Sequence, residues 1–332
     1  MRRSGRVARL VPRELPIVER FPALASIPRV SLGRFPTPVA ALPALAPTLS
    51  IKRDDLSADP LGGNKVRALE FLLGPVTKDS RVITVGSAAS THAVAVATYA
   101  KRLGAHVSVG RWRQEMTETA ARVAARLDRA ADDAPVFRNV AAAYAWAITR
   151  RLRGDLWIPA GGSSPLGVLG HVSAALELAQ QIQAGRVEQP VQVVVPLGTG
   201  GTMAGLALGF AIAQLPIQVV GARVVPRIVA RRRHVLSLAH GARKLIEQTT
   251  DEKLPHVSGD SLVIHHETYG GAYGRETPEG KQAAERLAST AHITLDPTYS
   301  AKAFALALTL AARGPTLFWL TFDSRILDGY TP

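Results

Sequence analysis

What most constrains this chain is an alternation that runs along most of its length. Short runs rich in valine and isoleucine are separated by longer Ala- and Leu-rich stretches of helical periodicity. The spacing predicts strands over Arg81–Val85, His106–Gly110, Val191–Pro196, Ile217–Val225, Leu262–His266, Ile293–Leu295 and Thr316–Thr321. Between them it predicts helices over Thr91–Leu103, Met116–Arg129, Gly167–Ala184, Met203–Gln214, Thr277–Ala288 and Ser300–Arg313. Apolar strands spaced by helices are covered on both faces, the pattern of parallel α/β sheets. In such sheets ligands bind at the carboxyl ends of the strands, so the turns that follow strands carry the functional reading.

Composition narrows the function classes. A chain of 332 residues, 47% hydrophobic and 20% charged, has the material for a folded core and, by length, two domains. The absence of cysteine excludes disulfides, a thiolate nucleophile and cysteine-ligated zinc; no metal site is expected. The formal charge of +14 invites a nucleic-acid reading, but only eight of the 40 basic residues are lysine, as a general arginine bias produces. The densest clusters are Arg2, Arg3, Arg6, Arg9 and Arg13, and Arg223, Arg227 and Arg231 to Arg233. No nucleic-acid module accompanies them, so they read as solvated basic faces and no nucleic acid is expected. The basic N-terminal stretch has no apolar region behind it and does not read as a secretory signal. No apolar run approaches bilayer length, so no membrane is expected. The expected location is cytoplasmic, with organelle targeting by the Arg-rich N-terminus left open.

Three turns carry chemistry. Leu197-Gly198-Thr199-Gly200-Gly201-Thr202 stands between a strand and a helix. Its glycines let backbone approach a ligand, and the following helix offers free N–H groups and a positive dipole end, which suits a phosphate. It matches neither a Walker loop nor a dinucleotide fingerprint, and alone it is equally a tight turn that binds nothing. Lys65 follows Gly62, Gly63 and Asn64 as a helix opens with ALEFLL, a few residues after Lys52-Arg53-Asp54-Asp55. A lysine at a helix N-terminus faces positive backbone potential, which favours the neutral amine that bonds to an aldehyde. Taken alone, such a lysine is usually a solvent-facing charge. Gly86-Ser87-Ala88-Ala89-Ser90-Thr91-His92 is the third turn; Ser90 or Thr91 there is an ordinary N-cap, or a group that holds a carboxylate, and His92 reads as structural.

Taken together, these segments resemble the fold-type II enzymes that use pyridoxal 5′-phosphate (PLP), specifically the family of 1-aminocyclopropane-1-carboxylate deaminase and D-cysteine desulfhydrase. The resemblance runs from about Phe21 to Leu320 through six blocks in family order: RFPTPVAALPALAPTLSIKRDDL, LGGNKVRALEFLL, IPAGGSSPLGVLGHVSAALEL, VPLGTGGTMAGL, YGGAYGRETPEG and LDPTYSAKAF. It implies a tryptophan synthase β-like α/β fold with parallel sheets flanked by helices. Residues 1–64 and 186–332 would form the large PLP-binding domain and residues 65–185 a smaller inserted α/β domain, with the cofactor between them and two such chains in a homodimer.

The resemblance also implies roles. Lys65 would hold the cofactor as a Schiff base and shuttle a proton; Gly198, Thr199, Gly200, Gly201 and Thr202 would cradle its phosphate. Asn64 and Thr91 would line the cofactor. Ser90 would face the substrate, and Tyr273 and Tyr299 would supply acid–base phenols. Ser300 would face the pyridine nitrogen. A hydroxyl there leaves that nitrogen unprotonated and the ring a weaker electron sink, favouring chemistry at Cβ and the desulfhydrase-like branch. Lys302 reads as a surface residue. The expected activity is that of a lyase or deaminase on a small amino acid, with β-elimination releasing keto acid and ammonia. A β-replacement enzyme, a racemase and a non-catalytic PLP-binding homologue are the alternatives. Three segments depart from the family: Thr91 replaces an asparagine, Ala272 a glycine, and Phe322-Asp323 a Gly-Gly pair, which places two bulky or charged side chains at the substrate pocket.

Overall fold

The computed structural model describes residues 14–59 and 61–327, and the cluster Arg2 to Arg13 lies outside them. Among the described residues there are ten strands: β1 (Val39–Ala41), β2 (Leu49–Arg53), β3 (Arg81–Ser87), β4 (His106–Trp112), β5 (Val136–Phe137), β6 (Leu156–Ile158), β7 (Gln192–Leu197), β8 (Gln218–Arg223), β9 (Leu262–His265) and β10 (Thr316–Leu320). The helices are α1 (Pro16–Arg20), α2 (Asn64–Leu72), α3 (Thr91–Arg102), α4 (Glu118–Ala130), α5 (Val140–Leu152), α6 (Pro165–Gln183), α7 (Gly201–Ile212), α8 (Arg232–Thr250), α9 (Pro278–Ala291) and α10 (Ser300–Ala311). A six-stranded sheet runs β1-β2-β10-β7-β8-β9 and a four-stranded sheet runs β5-β4-β3-β6. Every pairing is parallel except β1 with β2, so the α/β expectation holds.

β7 shows why these residues make a central strand. Val193 and Val195 enter one hydrophobic cluster with α6, α7 and α8, while Val194 enters the cluster on the opposite face with α9 and α10. All three are fully buried, each contributing roughly 1.5–3 kcal/mol of transfer free energy. A strand covered on both faces reads as a continuous apolar run, which is what the sequence has. α7 is apolar all round for the same reason. Its Gly205 and Gly209 let it approach α6 closely: a Cβ on either would meet His171 Cβ at 2.3 Å or Ala175 Cβ at 2.5 Å.

The four-stranded sheet lies within residues 81–158, whereas both chain ends feed the six-stranded one. α6 belongs to the core of the six-stranded sheet, where its Val168, Val172 and Ala175 pack with α7. The strand predicted over Ile293–Leu295 does not form. Asp296 there accepts from the N–H groups of Tyr299 at 2.6 Å and Ser300 at 3.0 Å, a turn that starts α10, while Ile293 and Leu295 bury against the α9–α10 side of the sheet. Among the described residues no helix is long and apolar enough to cross a membrane, and no cluster of three or more His, Asp or Glu could hold a metal.

Candidate active site

The carboxyl ends of β3, β7 and β10 and the start of α2 converge on a cavity of about 520 Å³. It is lined by Asn64, Lys65, Ser90, Thr91, the whole Gly198–Thr202 turn, Tyr273 and Tyr299. Residues more than two hundred positions apart in sequence thus share one chamber.

Lys65 is placed by the two glycines before it. Gly62 packs so close that a Cβ would lie 1.9 Å from the Asp55 carbonyl, and Gly63, the N-cap of α2 at φ 131°, would collide with the Thr321 carbonyl at 2.4 Å. No L side chain adopts that backbone comfortably, so the sequence needs glycine there. The Asn64 N–H donates to Thr321 O at 3.0 Å, pinning the start of α2 to the end of β10. The amine of Lys65 therefore enters the cavity from the first turn of a helix. Burial lowers its pKa to about 8, raising the share of neutral amine near physiological pH.

The Gly198–Thr202 turn caps α7 without any side-chain hydrogen bond at its N-cap, Gly200, which has φ 89°. The first N–H groups of α7 and the dipole behind them face the cavity, which is the requirement for an anion. A Cβ on Gly198 would meet nothing within 4 Å, so this part of the turn borders open space. Thr202 Oγ1 accepts from Asn64 Nδ2 at 2.7 Å, joining the glycine-rich turn to the start of α2. Ser163 completes the cradle, 2.6 Å from Thr199 Oγ1 and accepting from Gly201 N–H at 3.2 Å. Ser163 sits in the GGSS block, and a Gly-Gly-Ser-Ser turn directly after a short strand is the sequence signal for it.

Ser90 caps α3, accepting from Ala93 N–H at 3.2 Å, and faces the cavity. Thr91 lines the cavity beside it. His92 bonds to Thr84 through Nε2 at 3.1 Å; burial, then the neighbouring Lys65, push its pKa down to about 3, so it stays neutral, in keeping with a structural role. Tyr273 and Tyr299 hydrogen-bond to each other through their phenols with rings nearly perpendicular, at 73°. Burial raises both pKa values, so both phenols keep their protons.

Ser300 is fully buried directly after Tyr299. Its hydroxyl makes no hydrogen bond of good geometry, although it lies near enough to Asp296 to favour that carboxylate. A buried hydroxyl without a partner is costly, and a pyridine nitrogen would supply an acceptor. The donor set therefore fits PLP: an amine for the aldehyde, a helix N-terminus with hydroxyls for the phosphate, and a spare hydroxyl for the ring.

Three expectations change. Lys302 is not a surface residue: it is 1% exposed and donates to the Tyr269 carbonyl at 2.9 Å, with burial lowering its pKa to about 8. α10 is covered on both sides, by the sheet and by α9, so no polar face remains for it. Asp323 does not project into the pocket. It pairs with Arg325 through two hydrogen bonds at 2.7 and 2.8 Å, and only Phe322 of that pair lines the cavity. Arg223 is not part of a solvated face: it donates to the Val225 and His266 carbonyls and stacks on Tyr269 at 4.4 Å. Arg227 and Arg231 to Arg233 are exposed as expected.

The family profile of pyridoxal-phosphate-dependent enzymes matches residues 30–316. The chain is 34% identical over 324 residues to nocardicin C-9′ epimerase of Nocardia uniformis subsp. tsuyamanensis, a match that covers 91% of this chain and 94% of that protein. A putative 1-aminocyclopropane-1-carboxylate deaminase of Pyrococcus horikoshii is 33% identical over 309 residues, covering 89% and 90%. A D-cysteine desulfhydrase of Salmonella paratyphi B is 29% identical over 331 residues, covering 93% and 98%. Among solved structures, the crystal structure of an ACC deaminase homologue superposes with a TM-score of 0.76 at 29% identity, covering 95% of this chain and 99% of that one.

Proposed function

The chain belongs to the pyridoxal-phosphate-dependent enzymes, and from that premise we propose that it is a lyase that removes the β-substituent of a small amino acid and releases keto acid and ammonia. The observation that carries this reading is Lys65, a half-buried amine with lowered pKa, in one chamber with a glycine-rich helix N-terminus and the Tyr273–Tyr299 pair. Bound PLP supplies an electron sink at the substrate's Cα.

The protein's own residues do the rest. The turn Gly198–Thr202 and Ser163 hold the phosphate with N–H and hydroxyl donors. Asn64 and Thr91 border the cofactor. Lys65 Nζ takes the proton from Cα, as its pKa allows near neutral pH. Ser90, at the N-terminus of α3, binds the substrate carboxylate with the first N–H groups of that helix. Tyr273 and Tyr299, both protonated, give a proton to the departing group. Ser300, buried directly after Tyr299, would donate a hydrogen bond to a ring nitrogen that reached it, which would leave that nitrogen unprotonated and favour chemistry at Cβ.

A second reading, racemisation or epimerisation at Cα, is favoured by one feature: the chamber holds two separate proton carriers, Lys65 and the Tyr273–Tyr299 pair, and inversion needs a carrier for each face. One experiment separates the two. Purified yellow protein is incubated in D2O with each enantiomer of cysteine, β-chloroalanine and alanine, and keto acid, ammonia and the enantiomers are followed. The lyase reading expects keto acid and ammonia from the β-substituted substrates and none from Lys65→Ala. Deuterated, inverted amino acid without keto acid would replace it by the second reading.

A further inference from the structure

Beyond the chamber around Lys65, the same cavity has a stretch, its vestibule, lined mainly by apolar and aromatic side chains, together with the polar Arg113, Gln114 and Glu115. One wall comes from the four-stranded sheet and its cover: Trp112 at the end of β4, and Val140 and Tyr144 on α5. A second group of lining residues is Val225, Pro226 and Val229, after β8. We propose that the group expelled from Cβ is broad and apolar, at best an aryl or benzyl thiol, and that these two walls receive it. The proposal rests on the lyase reading and specifies its substrate class.

The geometry places the vestibule next to the chemistry. Trp112 pairs with Ser87 across β3 and β4, and its carbonyl accepts from Ala88 N–H at 2.9 Å. That puts the backbone of Trp112 beside the turn that leads to Ser90. The other wall begins where Val224 N–H donates to Leu197 O at 3.1 Å, next to the phosphate turn. A substrate with its carboxylate at Ser90 and its Cα at Lys65 has its β-substituent between these two anchors.

The chemistry of the walls selects the occupant. Trp112 and Tyr144 stack at 6.4 Å with 21° between ring planes, and Tyr144 meets Trp157 edge-on at 6.1 Å, so the aromatic wall is held in place by its own contacts. Yet Tyr144 is 36% exposed, Val140 46% and Val229 37%. Apolar surface left to water inside a cleft is stabilised only by an apolar ligand, and offset aromatic stacking adds to the area term. A bare thiol or hydroxyl would leave these walls wet.

The reaction balances with water alone. Lys65 takes the Cα proton, and the electron pair of that C–H bond becomes the Cα–Cβ double bond. The Cβ–S bond breaks with its pair on sulfur, and the thiolate takes a proton from the tyrosine pair, which recovers it from the proton held on Lys65. Water then hydrolyses the enamine, so that R–S–CH2–CH(NH3+)–COO− and H2O yield R–SH, pyruvate and ammonium.

The test compares cysteine, S-methylcysteine and S-phenylcysteine, both enantiomers of each, on the PLP-loaded protein. Pyruvate and thiol are followed by kcat/KM, and binding by calorimetry. The expected result is a preference of roughly tenfold or more for S-phenylcysteine over S-methylcysteine in both readouts, about one decade of binding constant. Tyr144→Ala and Val229→Asp both change exposed side chains, so folding tolerates them, and each should cut that preference severalfold. Equal kcat/KM and equal binding across the series, untouched by either variant, overturns the vestibule and leaves the lyase reading standing. Preferential binding of the S-phenyl compounds without pyruvate from any substrate overturns the lyase reading and keeps the vestibule.

Discussion

Lys65 shows how much one residue's surroundings decide. Its sequence context identified a lysine at a helix start, and the dipole argument pointed to a lowered pKa. The structure gives the larger cause as burial, which penalises the charged form, and the value is about 8 instead of the ordinary 10.5. The neutral amine is the form that bonds to the PLP aldehyde, so the sign is fixed. Below about pH 8 the neutral fraction falls roughly tenfold per pH unit, and above it the fraction is saturated. The rate at which apoprotein takes up PLP, followed by the visible absorbance, should therefore climb from pH 6 to about 8 and then level off. A rate that keeps rising tenfold per unit to pH 10 would mean that Lys65 titrates as an ordinary exposed lysine. His92 adds no step near pH 6.5, because burial holds it neutral throughout this range.

At the scale of elements, the turn before α7 separates binding from folding. Gly200 needs its left-handed backbone, and Gly201 would press a Cβ to 2.8 Å from Ser163 Oγ, so both positions serve the fold as well as the ligand. Gly198 differs, since an added Cβ there meets no protein atom within 4 Å. Gly198→Ala should therefore leave the melting temperature of the apoprotein within about a degree of wild type while weakening PLP at least tenfold, because the methyl occupies space the phosphate needs. Calorimetric melting with fluorescence titration of the cofactor checks both halves, and a large drop in apoprotein stability would contradict the open-space reading. The turn itself was legible because strand, glycines and helix follow one another in sequence. So were the parallel strands, whose burial on both faces leaves an unbroken apolar run. α5 and α8 were not read, and α5 carries Val140 and Tyr144 of the vestibule. On α5 the large apolar residues Val140, Tyr144 and Ile148 stand four apart yet face outward, while only the small Ala143 and Ala147 are buried, so the sequence pattern marks the wrong face. Lys302 was misread for the complementary reason, since a helix packed on two sides has no polar stripe to mark its buried lysine.

Across the whole molecule, distant parts of the chain meet in a buried ionic network beneath the site, and the sequence held only its letters. Lys52 on β2, Asp54 just after it, Arg67 on α2 and Glu177 on α6 are all at most 2% exposed. Arg67 bonds to Asp54 at 2.7 and 2.8 Å and to Glu177 at 3.0 Å, Lys52 reaches Glu177 at 2.5 Å, and Trp319 of β10 donates to Asp54 at 2.8 Å. The stretch KRDD gave no sign that its first and third members are interior, because each partner lies on another element. This network fixes α2 two residues beyond Lys65, and so ties the six-stranded sheet to the lysine proposed to hold the cofactor. Glu177→Gln keeps the shape and removes the charge, leaving Lys52 without its nearest counter-ion in a dry site. It should lower stability by roughly 3 kcal/mol at neutral pH, as breaking one partner of a buried pair does. The pH dependence follows from the carboxyl. Burial alone would raise the pKa of Glu177, but Arg67 and Lys52 hold it below the ordinary glutamate value of 4.5. Its stabilising contribution is therefore full above pH 4.5 and disappears as pH falls through the lower folded-state pKa. Urea unfolding of both proteins from pH 7 down to pH 3 should show a gap that is constant to about pH 4.5 and then narrows, as acid turns the wild-type carboxylate into the neutral group the variant already has. A gap absent at pH 7, or one that widens in acid, would show that Glu177 is not the charged keystone the buried contacts describe.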